Sequence, residues 1–191
     1  MRKIPNIATM ASLSPYQFLQ REHYFMSDID LRDLRDAFGS FATGVTVVTT
    51  LCNVDLMAKT PVAMTANSFC SVSLDPPLVL WSIDKKAKSF DAFSKSEHFA
   101  VHILHGGQRE LSSICATRNA DKFANEAWRS GIEGVPILAD YNTCFQCSVE
   151  HKYDGGDHEI IVGRVLDFDN NERESHTNPL LFYRGKYTEV A

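Results

Sequence analysis

No stretch of this chain comes near the roughly 18 consecutive apolar residues that a membrane-crossing helix requires. No secretory leader is expected either. The chain opens Met1-Arg2-Lys3, but Pro5, Asn6 and Pro15 break up the next dozen residues, so no apolar core of a signal peptide forms. Positive charge is scarce: 19 Lys and Arg stand against 24 Asp and Glu, a net charge of −5. A nucleic-acid binder carries the opposite, basic footprint. The five cysteines, Cys52, Cys70, Cys115, Cys144 and Cys147, are odd in number and irregular in spacing, which does not suit a disulfide framework. The expectation is a cytoplasmic protein with neither a nucleic-acid nor a membrane partner.

Several signatures of chemistry are absent too. G-x-G-x-x-G occurs nowhere, which removes the dinucleotide fingerprint. "GSFATGVT" (Gly39–Thr46) has the glycine spacing of a phosphate loop, but Val45 stands where the lysine belongs. It reads as a helix stop feeding a strand. There is no G-x-S-x-G elbow for a serine hydrolase. "CFQC" has metal-like spacing, yet residues three apart on a strand point to opposite faces. No second Cys or His pair completes a tetrahedral set. These are read as core thiols, and no metal is expected.

What remains is an ordinary globular chain of 191 residues, 44% hydrophobic and 23% charged, enough for one domain with a sizeable core. Residues 1–26 have no period and read as a poorly ordered arm, with the domain over 27–191. "SDIDLRDLRDAFGSF" predicts a helix of about three turns, with Leu31, Leu34, Phe38 and Phe41 at helical spacing and a capping box from Ser27 and Asp30. Strands are expected at Gly44–Leu51, from Pro61, at Pro76–Ile83 and at His98–Leu104. Two long ones come next, in "PILADYNTCFQCSVEHKY" and "HEIIVGRVLDF", then a last one in "PLLFYRGKY". Short helices are expected at Lys86–Ser96 and in "GGQRELSSICATR", with "DKFANEAW" a further short helix or turn. Six or seven strands against three short helices, without regular crossover helices, predict a mainly β antiparallel barrel.

Three stretches carry polar groups that a ligand could use. "TANSFCSVS" (Thr65–Ser73) packs hydroxyls and an amide together. "KAKS" sets Lys88 and Ser89 at a helix start, a natural phosphate site. "HKYDGGDHEIIVGRV" (His151–Val165) puts Asp157, His158 and Glu159 after two glycines at the mouth of a strand. Taken singly, each reads as a surface loop or hairpin turn. A metal set from Asp154, Asp157, His158 and Glu159 has no distant partner in the sequence.

Together and in order, "LRDAFGSFATGVTVVTT", "MTANSFCSVSLDPPLVLWSI", "KSFDAFSKSEHFAVHIL", "DKF", "GGDHEIIVGRV" and "PLLFYRGKY" resemble the short-chain flavin reductases, the reductase partners of two-component flavin monooxygenases. The resemblance covers about residues 30–189. It implies the FMN-binding split β-barrel, Greek-key-like, as a homodimer. It also implies hydride transfer from NADH or NADPH to FMN or FAD, with reduced flavin passed to a separate monooxygenase. By the same resemblance, Thr43, Gly44, Val45, Thr46 and Val47 pass beside the flavin ring, chiefly through their backbone. Thr65, Ala66, Asn67 and Ser68 line the ring edge and ribityl chain. Ser71, Ser73, Lys88 and Ser89 approach the phosphate, and Tyr187 closes part of the cleft. Gly156, Asp157 and His158 receive the nicotinamide. Hydride passes between the two rings, so no side chain is needed as acid, base or nucleophile. The chain departs from the family at Ala63, where glycine is frequent, and in a less regular link at Leu51–Pro61. The competing reading is a non-catalytic flavin- or heme-binding protein on the same barrel.

Overall fold

The computed structural model describes residues 29–55, 58–124, 127–171 and 178–190. The arm expected over residues 1–26, and Ser27, lie outside them. The described residues fall into two units, one ending at Phe41 and the other starting at Ala42. In the first, helix α1 (Leu31–Phe38) is two turns long rather than three and ends at Gly39. Asp30 caps it, accepting from the backbone amides of Arg32 (2.7 Å) and Asp33 (3.3 Å).

The second unit is almost all strand. The β-branched run continues past Leu51 to make β2 (Thr46–Asp55), preceded by the short β1 (Thr43–Gly44). β2 pairs antiparallel with β3 (Ala58–Ala66), from Thr46↔Ala66 to Asp55↔Ala58. The link expected to be less regular is the outer half of a hairpin, and its pairing has an irregularity of register between Asn53 and Asp55. Next come β4 (Cys70–Leu74), β5 (Pro77–Asp84), helix α2 (Phe90–Lys95) and β6 (His98–Ile103). A 3-10 turn then leads into helix α3 (Arg109–Ala116). "DKFANEAW" makes no helix over its described residues; Trp128 already begins β7 (Trp128–Ser130), which pairs with β8 (Pro136–Leu138). The long hairpin is β9 (Thr143–Gly155) and β10 (His158–Asn170). The last expected strand is itself a hairpin, β11 (Leu181–Tyr183) and β12 (Lys186–Thr188). Arg184 (φ 47°) and Gly185 (φ 75°) turn it, the two positive angles that suit a tight hairpin.

The main sheet runs β3-β2-β6-β9-β10-β5-β4, antiparallel throughout. Four strands separate β3 from β5 in that order, which in a flat sheet would hold them about 24 Å apart. Yet Ala66 and Met64 of β3 share one core with Trp81 and Ile83 of β5, together with Phe93, Phe99, Cys147 and Ile161. The sheet is therefore rolled, with β3 and β4 as its two free edges: a split barrel. A second core lies on the other face of the central strands, with Val45, Val47, Ala100, Leu104, Leu111, Ile137 and Cys144. Cys144 and Cys147 fall in different cores, as expected from their spacing, and burial pushes both thiols up to about 12.

Candidate functional site

β5 brings the sequence-predicted stretches together. At Ser82 its backbone N–H donates to Ser68 Oγ (2.9 Å), and the Ser68 hydroxyl donates back to the Ser82 carbonyl (3.0 Å). That fixes the turn after β3 to the middle of β5. Two residues on, Asp84 pairs with His158, the first residue of β10. The chain then continues through Ala87, Lys88 and Ser89 into α2. A cavity of about 660 Å³ opens beside this segment, within the range of small-molecule sites. Thr65, Lys88 and Ser89 line it, along with Met64, Asp84 and Phe123.

Each wall has a local cause. Thr65 Oγ1 donates to the carbonyl of Ser112 in α3 (2.6 Å), which sets the strand against that helix. Ser89 is the residue preceding α2, and its hydroxyl lies 3.5 Å from Met64 Sδ rather than capping the helix. Lys88 is exposed and donates to Asn119 Oδ1. Asn119 sits at φ 62°, a left-handed turn that asparagine tolerates. Lys122 donates to the Ala63 carbonyl (2.8 Å), and burial lowers its pKa. Lys88, Arg118 and Lys122 thus stand on the same cavity as Asp84, Asp91 and Asp121. The sequence reading assigned no role to Met64, Asp84, Asn119, Lys122 or Phe123. The one available signal was "DKF", which contributed to the resemblance without a function.

Other predicted residues lie around this centre. Thr43 and Gly44 are accessible, and the Asn67 amide donates to Thr43 Oγ1 (3.3 Å). Val45, Thr46 and Val47 are at most 2% exposed. The N–H of Val45 donates to Leu180, its carbonyl accepts from Leu104, and β2 is laddered on both sides at Thr46 and Val47. Of that stretch, Thr43 and Gly44 are the part open to a ligand. Ala66 is buried, while Ser71 and Ser73 lie on the edge strand β4 on either side of a bulge. Tyr187 does not line the cavity. Its hydroxyl is 2.9 Å from Ser112 Oγ, so it reaches Thr65 only through α3.

The β9–β10 hairpin ends in an exposed turn at Gly156 and Asp157, with Gly156 at φ 80°. His158 is half-buried, and its Nδ1 lies 2.7 Å from Asp157 Oδ1. That contact holds the Asp157 carboxyl below its usual range. Glu159 belongs to the opposite face. Its Oε2 is 3.5 Å from the Ser94 hydroxyl of α2, away from the His158 side. Threonine, serine and lysine groups line the cavity, but no nucleophile–base pair of a hydrolase is assembled there among the described residues. The arrangement suits binding: apolar surface from Met64, Ala87 and Phe123 for flat rings, cations for an anionic tail, and His158 paired in register with Asp84 of the wall.

The profile of the flavin reductase-like domain matches residues 38–191. A probable flavin reductase of Rhizobium meliloti is 44% identical over 158 residues, which cover 83% of this chain and 48% of that protein. The chain thus spans about half the length of this curated relative. An FMN reductase (NADH) of Agrobacterium fabrum is 42% identical, over 88% of this chain and 92% of its own. Among solved structures, an NADH:FAD oxidoreductase of Streptomyces globisporus, in complex with NAD and FAD fragments, superposes with a TM-score of 0.74 at 37% identity. That match covers 85% of this chain and 96% of that one.

Proposed function

The chain belongs to the flavin reductase-like family, and from that membership we propose that it is an NAD(P)H-dependent flavin reductase. In this reading NADH or NADPH reduces FMN or FAD, and the reduced flavin leaves for a separate flavin-dependent monooxygenase. The observation that carries the reading is the register of β10 on β5. It pairs His158 with Asp84, which lines the same cavity as Thr65, Lys88 and Ser89. One side of the site is thereby suited to a flavin and its phosphate, and its rim to a nicotinamide.

The residues present fit such a pair. Lys88 and Arg118 offer positive charge to a phosphate, with Ser89 beside them as a hydroxyl donor. Thr43, Gly44, Asn67 and Ser68 present polar groups to a ring edge. The two-electron chemistry is supplied by the flavin and nicotinamide rings themselves. The protein's share is orientation. It holds the flavin against β3 and the start of α2, and it holds the nicotinamide with the His158 ring, whose angle Asp157 fixes. Excluding water from a face-to-face ring pair needs no acid or base from the chain.

The working form is a homodimer in the cytoplasm. All five cysteines are free thiols, as in a reducing compartment. Anaerobic mixing of the purified protein with FMN or FAD and then NADH or NADPH tests the proposal. Joint loss of flavin absorbance near 450 nm and nicotinamide absorbance near 340 nm, catalytic in protein, is the expected result, and the four pairs rank the cofactors. Tight flavin binding with no turnover by any pair would leave a binding protein instead.

A further inference from the structure

The hairpin that carries His158 projects beyond the core. Tyr153, Asp154, Gly155, Gly156 and Asp157 are all exposed, so packing does little to set the height or angle of its tip. One side chain outside the hairpin does. Lys85, the residue after β5, makes three bonds to the turn. Its backbone N–H donates to the Asp157 carbonyl (3.0 Å). Its ammonium donates to Asp154 Oδ2 (2.7 Å) and to the Gly156 carbonyl (2.6 Å). Both limbs of the turn are thereby tied to one atom. Asp154 is drawn in further by the Gly156 N–H (3.1 Å), and Lys85 holds its carboxyl below the usual range.

We infer that Lys85 is a positioning residue for the nicotinamide half of the site. It fixes the turn, the turn fixes Asp157, and Asp157 orients the His158 ring at 2.7 Å. Lys85 lies between Asp84 and Ala87, both on the cavity wall, but does not line the cavity itself. It therefore sets where the hairpin tip stands relative to Asp84 without itself lining the cavity. The inference rests on the assignment of His158 to the nicotinamide.

An ordinary structural ion pair makes a different prediction. With side chains 35% and 79% exposed, the Lys85–Asp154 pair adds little to global stability. Lys85→Met is expected to leave the melting temperature and flavin affinity unchanged. It is expected to raise KM for NADH or NADPH by about fivefold, the scale of one lost hydrogen bond of ordinary strength. In the flavin-free protein, amide hydrogen exchange over residues 154–158 should quicken while β2 and β6 stay protected. Lys85→Arg, which keeps the charge, should recover part of the loss.

The decisive comparison is a double-mutant cycle with His158→Ala. If Lys85 acts through His158, adding Lys85→Met to that variant changes KM no further. Multiplying effects in the double variant, or unchanged exchange at the hairpin tip, overturn the inference for Lys85 while leaving His158 in place. If His158→Ala alone leaves nicotinamide binding unaltered, the reading of the site falls, and the role of Lys85 falls with it.

Discussion

His158 and His102 are the same residue in opposite surroundings, and that difference decides what each can do. His158 is half-exposed and held at 2.7 Å by its neighbour Asp157. His158→Ala should raise KM for the nicotinamide donor by up to about tenfold, the scale of a lost ring stack, and slow reduction. Flavin affinity should change by less than about twofold, since the flavin contacts lie elsewhere. Flavin affinity that collapses, with normal reduction of whatever flavin stays bound, would sink the assignment. His102 has no free edge at all. It is fully buried, its Nδ1–H donates to the Val47 carbonyl (3.0 Å), and its Nε2 accepts from the Leu138 amide (3.2 Å). The neutral ring thus pins β2, β6 and β8, and burial lowers its pKa from 6.5 to about 4. The unfolded chain binds this proton more readily than the folded one. Its contribution is therefore complete above about pH 6.5 and is lost as pH falls toward 4, about 3 kcal/mol in all. Urea unfolding of the native protein and of His102→Gln across pH 7.5 to 4.5 reads this directly. The native curve should fall more steeply through that window; parallel curves would show that His102 is not the titrating group.

At the scale of the element, β10 shows how a single missing side chain can set a fit. Gly163 lies between two irregularities of register, after Val162 and after Val165. A Cβ there would overlap the Phe99 ring and come within 3.0 Å of Cys147 Cβ. Phe99 is 1% exposed and wedged beside Trp81, so it cannot withdraw. Gly163→Ala should cost about 1–3 kcal/mol, a fall of roughly 2–10 °C in the melting midpoint by calorimetry. A midpoint within a degree of the native one would mean that the strand shifts to absorb the methyl. The same strand marks what the sequence could and could not reveal. Apolar runs such as those of β5, β6 and β10 were legible, because burial on a rolled sheet leaves a pattern in the residues. Among the shortest strands, β7 left none, β8 was merged with β9, and β11 and β12 read as one strand, since so short a run has no period to set its ends. The site divides likewise. "TANS", "KAKS" and "GGDH" stood out as local chemistry. Lys85 did not, because its partners Asp154 and Gly156 come close only through the register of β10 against β5. Nor was it visible that Val45–Val47 would spend their backbone groups within the fold.

For the molecule as a whole, the proposed pairing of two copies has a physical basis in the apolar groups left at the surface. β4, a free edge of the sheet, exposes Val72 and Leu74, the latter 96% accessible. β10 exposes Leu166 and Phe168. Phe168 is the outer end of an aromatic row: its ring lies 6.4 Å from Phe145, which in turn lies 5.7 Å from Phe69. A single exposed leucine needs no explanation, but an aromatic row ending in water, with an uncovered strand edge elsewhere on the same sheet, suits an interaction surface. The net charge of −5 is small enough not to oppose association of like chains. Light scattering on the eluting protein should therefore give about twice the 21.4 kDa of the chain. Phe168→Glu, which sets a carboxylate in that row, should shift the population toward the single-chain mass at micromolar concentration. Its circular dichroism should stay unchanged, because Phe168 is already 64% exposed. A native protein that elutes at the single-chain mass removes the homodimer. A dimer indifferent to Phe168→Glu would place the contact on another face, and the aromatic row would then have to serve a different partner.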